Sequence, residues 1–321
     1  MSERTFQARD AVRDQVPLLV GLMGPSGGGK TFSALRLATG IQQVRGGDIY
    51  VIDTEAKRAL HYADRFKFKH VEFTAPFGSL DYLAAVRYAV EQKAGVIIVD
   101  SMSHEHEGQG GYLQLHDSEV QRMSGGDAAK AERVKMAGWI KPAAQRRQLI
   151  NGLLQMNASF IFCFRAKEKT KPKKGGGIEE LGFMPIAGEE FLFEMTLNAL
   201  LLPNAGGVPT WRSDSIGERM MIKLPEQFRT LFADSKPLDE THGRKLAEWA
   251  KGGAPAVTPI SDITLSAGYD AAEQGNDMLA KWWNTLSRED KIRLKPTLES
   301  ELKDIAAQVV PEFNDGAEKE E

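Results

Sequence analysis

The sequence is poor in the features that mark secreted and membrane proteins. Its 321 residues include one cysteine, Cys163, so no disulfide can form within the chain, and we expect a buried thiol in a reducing compartment. No apolar run approaches the roughly 20 residues that a membrane-spanning helix needs. Residues 1–16 are polar and charged, without the apolar centre of a signal peptide. We therefore expect a soluble, cytoplasmic protein with no membrane partner.

Negative charge is scarce in the middle of the chain. Residues 128–175 contain twelve lysines and arginines but only two glutamates. From Glu289 to the last residue the balance reverses, with ten acidic and five basic side chains. A basic centre predicts a binding site for a polyanion, and the acidic end predicts a segment with a different role.

Apolar runs alternate with helical patterns from residue 17 to about residue 202. Runs that are apolar on both faces are typical of parallel sheets covered by helices, so the predicted fold class is α/β, with a mainly parallel sheet flanked by helices. The predicted strands are 17–23, 49–53, 96–100, 159–164, 197–202 and 220–224, with the last two at an antiparallel edge. The predicted helices are 30–44, 79–92, 264–286 and 288–309, with Ser79 as the N-cap of the second.

Composition also divides the chain into segments. Glycine, proline and small residues dominate 252–259 and predict a linker. The predicted segments are an N-terminal arm (1–14), a large core (15–250), the linker (251–261), a small helical module (262–310) and a disordered acidic tail (311–321). An apolar stripe in the module consists of Leu279, Trp282, Trp283 and Leu286. Packing between the module's helices is the default interpretation, and docking of a partner is the alternative.

A glycine-rich loop between the first strand and the first helix matches the pattern GxxxxGK[ST] at every fixed position. The loop consists of Gly24, Pro25, Ser26, Gly27, Gly28, Gly29, Lys30 and Thr31. Glycines let backbone N–H groups approach phosphate oxygens, and the helix N-terminus adds partial positive charge. We expect Lys30 to reach the β- and γ-phosphates, Thr31 to hold Mg²⁺, and Phe32 to belong to the same site. The motif predicts a bound nucleoside triphosphate with Mg²⁺, and we expect ATP.

Acidic residues lie at the end of the third predicted strand and just after it. Asp100 ends the run 96–100, which is the pattern of a residue that holds Mg²⁺ beside a phosphate loop; capping of the next turn is the alternative. The sequence His-Glu-His-Glu follows at 104–107. It could form a metal site, but no third ligand is obvious nearby, so a polar loop is favoured.

A cationic segment follows the predicted strand 159–164. Its six cations are Arg165, Lys167, Lys169, Lys171, Lys173 and Lys174, and three glycines come after them. Pro172 excludes a helix or a central strand, so we expect a loop. Lysines neutralise phosphates and release counterions, which gives affinity for nucleic acid without sequence preference. The segment predicts a nucleic-acid site, and a solvated basic loop without a ligand is the alternative.

These motifs together resemble the RecA superfamily of strand-exchange ATPases. Over residues 15–235 the chain resembles in particular the phage-encoded "Sak-four" group of RecA-core single-strand annealing recombinases. The resemblance rests on the loop 24–31, on 52–55 before Tyr62, on 96–101, and on the strand and cations of 162–169. It implies a RecA-like core over 15–250.

The resemblance also implies roles for individual residues. Glu55 would be the base that polarises the attacking water, and Tyr62 would stack on adenine. Glu105 or Glu107 would be the base if the chain belonged to a different P-loop lineage. Arg165 stands where these proteins carry a polar sensor, usually glutamine; it could contact the γ-phosphate within its own subunit, act across a subunit boundary, or contact DNA.

Two loops would grip single-stranded DNA in such a protein. One would be flexible and span 105–127, and the other would be the cationic segment. The resemblance implies ATP hydrolysis linked to annealing or pairing of complementary strands by a filament or ring in a bacterial host cell. A single-strand-binding protein could contact the C-terminal module. A ring-forming replication or packaging motor, and a nucleotide-dependent regulator of a protein partner, are the alternatives.

Overall fold

The structure is a computed structural model that describes residues 8, 13, 16–173, 175–252 and 262–309. The acidic tail, Lys174, and most of the predicted arm and linker lie outside the described residues. Among the helices within these ranges, none combines the length and the apolar composition needed to cross a membrane.

The chain divides into two compact units, and the larger one spans Arg13–Gly253. Its strands are β1 (Leu19–Gly24), β2 (Asp48–Asp53), β3 (Lys69–Glu72), β4 (Ala94–Asp100), β5 (Ser159–Pro172), β6 (Ile178–Pro185) and β7 (Leu197–Leu200). Its helices are α1 (Lys30–Arg45), α2 (Ser79–Glu91), α3 (Ser103–Glu107), α4 (Tyr112–Ser124), α5 (Ala128–Val134), α6 (Ile140–Leu154), α7 (Glu189–Phe193), α8 (Ile216–Met221) and α9 (Glu240–Lys251). Short 3₁₀ helices occupy Arg58–Tyr62, Ala137–Trp139 and Glu226–Phe228.

The strands form one sheet in the order β3-β2-β4-β5-β1-β7, and β6 pairs with β5. Every pair along this path is parallel, and β5–β6 is antiparallel. The predicted α/β fold with a mainly parallel sheet is confirmed. The expected strand over 197–202 is present as β7 and lies at the end of the sheet order, but the expectation that it pairs antiparallel is wrong, because β7 pairs parallel with β1. Its four residues are all buried, as strands of covered parallel sheets are.

Helices cover both faces of the sheet. In β4, Val96 and Ile98 pack into a core layer with α1 and α9, whereas Ile97 and Val99 face α2 and α6. This alternation follows from the two-residue period of a strand. Cys163 is buried in β5, as expected, and burial raises the pKa of its thiol.

The predictions for residues 220–224 and 105–127 are also wrong. Residues 220–224 do not form a strand: α8 covers 216–221, and Lys223 makes only an isolated bridge to Asn198. The expected flexible loop over 105–127 is largely helical, in α3 and α4. The reason for the helices is tertiary, since the rings of Tyr112 and His116 stack on Trp139 at 5.2 and 3.7 Å.

The cationic segment is a β-hairpin, not a loop. Strand β5 continues past Phe164 to Pro172 and pairs with β6 from Ala166↔Pro185 to Pro172↔Ile178. Pro172 lies at the last pair, where a missing N–H costs least. We call residues 165–173 and 175–185 the cationic hairpin.

The second unit contains the described residues 262–309. It consists of α10 (Asp262–Ala272), α11 (Asn276–Thr285), α12 (Arg288–Thr297), a π-helical turn (Leu298–Leu302) and α13 (Lys303–Ala307). The single helix predicted over 264–286 is broken at Gly275, whose φ of 98° is incompatible with a helix. Leu279 and Trp282 of the apolar stripe pack in the core of this unit, while Trp283 and Leu286 are half-buried. Core packing therefore accounts for half of the stripe.

The helix that follows the phosphate loop is held by close packing against α9. A Cβ on Gly40 of α1 would lie 2.0 Å from the carbonyl oxygen of Glu240, and one on Gly243 of α9 would lie 2.1 Å from that of Leu37. Arg36 and Glu240 form an ion pair of 2.6 Å across the same contact. The absence of side chains at the two glycines lets the helix backbones approach.

We predict that Gly40→Ala destabilises the protein. Forcing the two helix backbones apart costs up to about 3 kcal/mol, which exceeds the gain of roughly 1 kcal/mol in helix propensity. Urea denaturation should show a lower midpoint than that of Gln43→Ala, an exposed position on the same helix. An unchanged or raised midpoint would contradict the close packing of α1 and α9.

Candidate functional site

The phosphate loop joins the end of β1 to the start of α1. Gly29, directly before α1, has a left-handed φ of 83°, which residues other than glycine rarely adopt. The Lys30 ammonium donates hydrogen bonds to the carbonyl oxygens of Gly24 (2.9 Å) and Pro25 (2.8 Å). Burial lowers the pKa of Lys30, although Asp100 and Glu55 oppose this shift. A cation and a helix N-terminus therefore meet at one loop, which suits phosphate groups.

Two oxygen donors lie together beside this loop. The Thr31 hydroxyl donates to Asp100 Oδ2 at 2.5 Å. Burial raises the pKa of Asp100 to about 6, with the Thr31 hydrogen bond opposing the shift and the charge of Glu55 adding to it. A divalent cation would stabilise the ionised form of the Asp100 carboxylate. Together with the Thr31 hydroxyl, this carboxylate offers oxygen ligands that fit Mg²⁺ bound jointly with phosphates. Within the described ranges, no group of three or more His, Cys, Asp or Glu side chains could hold a metal, and the side chains of 104–107 belong to no such group.

Asp53 shapes the turn that carries Glu55. Its carboxylate accepts hydrogen bonds from the backbone N–H groups of Glu55 (2.8 Å) and Ala59 (3.0 Å). The side chain is almost fully buried, and His70 Nε2 lies 3.1 Å from its second oxygen. Two backbone donors on one carboxylate fold the chain back after β2, which places Glu55 at the sheet edge.

Thr54 ties the end of β2 to the end of β4. Its hydroxyl accepts a hydrogen bond from the backbone N–H of Ser101 (2.8 Å) and lies 2.7 Å from His104 Nδ1. Its backbone N–H donates to the carbonyl oxygen of Asp100 (2.8 Å). These contacts fix Glu55 and Asp100 relative to each other.

Glu55 is held in an ion pair with Arg165. Arg165 Nε lies 2.7 Å from Glu55 Oε1, and Arg58 Nη1 lies 3.2 Å from Oε2. The Glu55 side chain is 9% exposed. Burial would raise its pKa, but the hydrogen bond and charge of Arg165, with His104 and Arg58, outweigh burial and lower it. With both oxygens engaged, Glu55 is a weak proton acceptor in this arrangement.

These groups line one cavity of about 340 Å³. Its lining consists of Ser26, Gly27, Gly29, Lys30, Thr31, Glu55, Arg58, His61, Tyr62, Asp100 and Arg165. Nine of the residues predicted from the sequence therefore meet in space. Arg58 and His61 were not predicted, although the three-residue spacing of Arg58 from Glu55 suits an ion pair within one turn.

Tyr62 lies on one side of this cavity and packs against Phe32, which is not part of the lining. Tyr62 ends the 3₁₀ helix after Glu55, and its ring packs 5.7 Å from that of Phe32. Phe32 also contacts Phe66, and the guanidinium of Arg65 lies 4.8 Å from its ring centre. Tyr62 lines the cavity while Phe32 supports it from behind. Stacking of Tyr62 on adenine stays a prediction.

The alternative bases are engaged elsewhere. Glu105 is buried in a 2.8 Å ion pair with Arg146 and accepts a hydrogen bond from the Ser79 hydroxyl at 2.6 Å. Ser79 therefore does not cap α2, whose N-cap is Gly78. Residues 103–107 form helix α3 instead of the favoured polar loop, and Glu107 pairs with Lys167 at 3.8 Å. The carboxylates that line the cavity are Glu55 and Asp100.

The sequence profile of the AAA domain family matches residues 17–196, which include every residue of the cavity lining. The chain belongs to the AAA domain family. Its membership and its parallel sheet define a P-loop nucleoside triphosphatase core, and the family implies a nucleotide-dependent ATPase. No curated protein matches the chain.

We predict that Glu55→Gln binds nucleotide but hydrolyses it about 10²–10⁴-fold more slowly, because an amide cannot act as a general base. Steady-state ATPase rates and nucleotide affinity measured on the same preparation would separate binding from turnover. Glu107→Gln is the matched control, and its rate should stay near that of the unmodified protein. Normal turnover in Glu55→Gln would show that the base lies elsewhere.

Proposed function

We propose that this protein is a RecA-type phage recombinase. It binds and hydrolyses ATP with Mg²⁺, binds single-stranded DNA, and promotes annealing or pairing of complementary strands. The observation that carries the proposal is the position of Arg165, which belongs both to the nucleotide cavity and to the cationic hairpin.

Strand β5 supports a link between the two sites. It runs without interruption from Ser159 to Pro172, so Arg165 and Lys167 are two residues apart on one strand. The backbone N–H of Arg165 donates to the Ser103 hydroxyl at 2.8 Å, which anchors this part of β5 to α3. A polyanion on the hairpin would therefore lie close to the arginine that restrains Glu55.

In this proposal, Glu55 and a DNA phosphate compete for Arg165, and this competition couples DNA binding to ATP hydrolysis. Without DNA, Arg165 pairs with Glu55 and keeps that carboxylate from acting on water. A DNA phosphate bound beside Lys167 attracts the same guanidinium, which binds phosphate as readily as carboxylate. DNA therefore releases Glu55, and hydrolysis accelerates.

The phosphate loop and its neighbours hold the nucleotide in this proposal. Lys30 turns from the loop carbonyls to the β- and γ-phosphates, and Tyr62 stacks on adenine. Thr31 and Asp100 hold Mg²⁺, which neutralises charge on the phosphates when it is bound. We also propose self-assembly into a filament or ring, contact of the C-terminal module with a single-strand-binding protein, and action in the cytoplasm of a bacterial host.

The ATPase rate measured against different nucleic acids tests the proposed function. Single-stranded DNA should raise the rate more than duplex DNA, and a strand-annealing assay should show faster pairing. The stimulation should vanish when four hairpin lysines are changed to glutamine: Lys167, Lys169, Lys171 and Lys173. The matched control changes four exposed lysines elsewhere: Lys67, Lys69, Lys245 and Lys251.

Two outcomes would contradict the proposal. An ATPase rate that is indifferent to every DNA and RNA tested would favour a regulator of a protein partner. Directional unwinding in a helicase assay, without annealing, would favour a replication or packaging motor.

A second prediction concerns the ion pair itself. Arg165→Gln should raise the ATPase rate without DNA by about tenfold, which corresponds to an interaction of roughly 1.4 kcal/mol, and should abolish stimulation by DNA. Arg58→Gln is the matched control: it removes the 3.2 Å contact to Glu55 but leaves the hairpin intact, so stimulation should persist. A lower DNA-free rate in Arg165→Gln would mean that Arg165 stabilises the transferred phosphate instead.

A further inference from the structure

The cationic hairpin presents its lysines on one face. Lys167, Lys169 and Lys171 alternate along β5, and alternate residues of a strand share a face. The pairing shifts between Lys169↔Gly182 and Thr170↔Glu180, so the extra residue lies on β6 and the alternation along β5 is unbroken. All three lysines are exposed. In the part of the chain that the structure describes, Lys167 pairs with Glu107, whereas Lys169 and Lys171 form no ion pair within 4.0 Å, although Glu179 stands opposite Lys171 in the pairing of the two strands.

An apolar groove opens beside this face. Its walls are Lys169 and Met184 of the hairpin, Leu192 and Phe193 of α7, and Met220 of α8. Phe193 is 67% exposed and Met220 is 73% exposed. We call this feature the Phe193 groove. Large side chains gain free energy from burial, so an exposed pair in a groove indicates a binding surface.

The ring of Phe193 stands on a fixed support. Its neighbours Phe191 and Leu192 are buried in the core and anchor α7. The carbonyl oxygen of Phe193 accepts a hydrogen bond from Lys223 Nζ at 3.0 Å. The backbone is therefore held in place, so binding a ligand on the ring requires little ordering of the protein.

The ligand of the groove must satisfy both its charge and its shape. The three lysines beside the groove favour an anionic ligand, whereas Phe193 and Met220 favour a flat apolar group. A nucleotide of a single strand carries both, a phosphate and a base whose face stacks on aromatic rings. Glu189 also lines the groove, and its carboxylate repels phosphate but accepts an N–H from a base. This charge pattern directs the backbone to the lysines and the base to the groove.

We propose that a base of single-stranded DNA stacks on Phe193 while its phosphates follow Lys167, Lys169 and Lys171. This inference rests on the proposed function, and it adds a stacking site to a purely electrostatic one. Bases in a duplex are already stacked on one another and are not available to the groove. The Phe193 groove is therefore the part of the site that selects single strands over duplex.

Fluorescence anisotropy with a labelled oligothymidylate and the full-length protein tests the inference. Phe193→Ala should weaken binding about 5- to 150-fold, the loss of one stacked base, and should leave the slope of log affinity against log salt unchanged. Lys169→Gln should reduce that slope, because one phosphate contact is lost. Phe193→Trp should retain affinity, and its added indole fluorescence should fall on binding.

The matched control is Tyr88→Ala, an exposed aromatic on α2, which should bind like the unmodified protein. If the unmodified protein binds the oligonucleotide and Phe193→Ala binds it equally well, the stacking site is wrong and the proposed function stands. If Phe193→Ala alters only oligomeric size, the groove is a contact between proteins and the inference is overturned. If the unmodified protein binds no single strand at low salt, the proposed function itself is wrong.

Discussion

The placement of β5 between the phosphate-loop strand and the Asp100 strand is the constraint on which the site depends. The pairing brings Gly24 opposite Arg165, and Asp100 opposite Cys163 and Asp53. Parallel strands end at the same edge of the sheet. The phosphate loop, the expected magnesium ligand Asp100, and both partners of the Arg165–Glu55 ion pair therefore lie close together without any long connecting loop. Moving β5 to an outer position would separate Arg165 from Glu55. The order of strands thus determines which charges can meet.

The two carboxylates in the cavity have opposite environments. Burial raises the pKa of Asp100 to about 6, which favours a group that a cation stabilises. Arg165 and Arg58 lower the pKa of Glu55 despite its burial, which keeps it ionised but occupied. Titratable neighbours whose pKa values are pushed apart are typical of sites where one group binds and the other takes part in proton transfer.

The sequence predicts well those parts of the site that depend on local pattern. The loop 24–31, the acid ending β4 and Glu55 after β2 each follow an apolar strand, and parallel strands bring such residues to one edge. The pairing of Glu105 with Arg146 could not be predicted in this way, because the partners lie 41 positions apart. Short polar strands were missed for the same reason. In β3, which consists of Lys69–Glu72, two of four residues are charged and exposed at the ends, so only its pairing with β2 identifies it.

The hairpin shows why composition misled the prediction for the cationic segment. Lysines with a proline and three glycines are typical of loops, yet β6 supplies a partner that makes residues 165–172 part of a strand, while the three glycines 175–177 lie in the turn before β6. The strand changes how the cations can bind a ligand. Every second side chain of a strand lies on the same face, whereas the side chains of a loop are not aligned.

This alignment explains why an arginine at position 165 matters, because Arg165 lies on the same strand as the lysines. The neutral glutamine expected from the resemblance could accept and donate hydrogen bonds, but it would form no ion pair with Glu55. A guanidinium donates to either a carboxylate or a phosphate through the same planar fork of N–H groups. In the proposed function, the Arg165 side chain can therefore move from the Glu55 carboxylate to a DNA phosphate. The link between the two sites then requires no movement of the sheet.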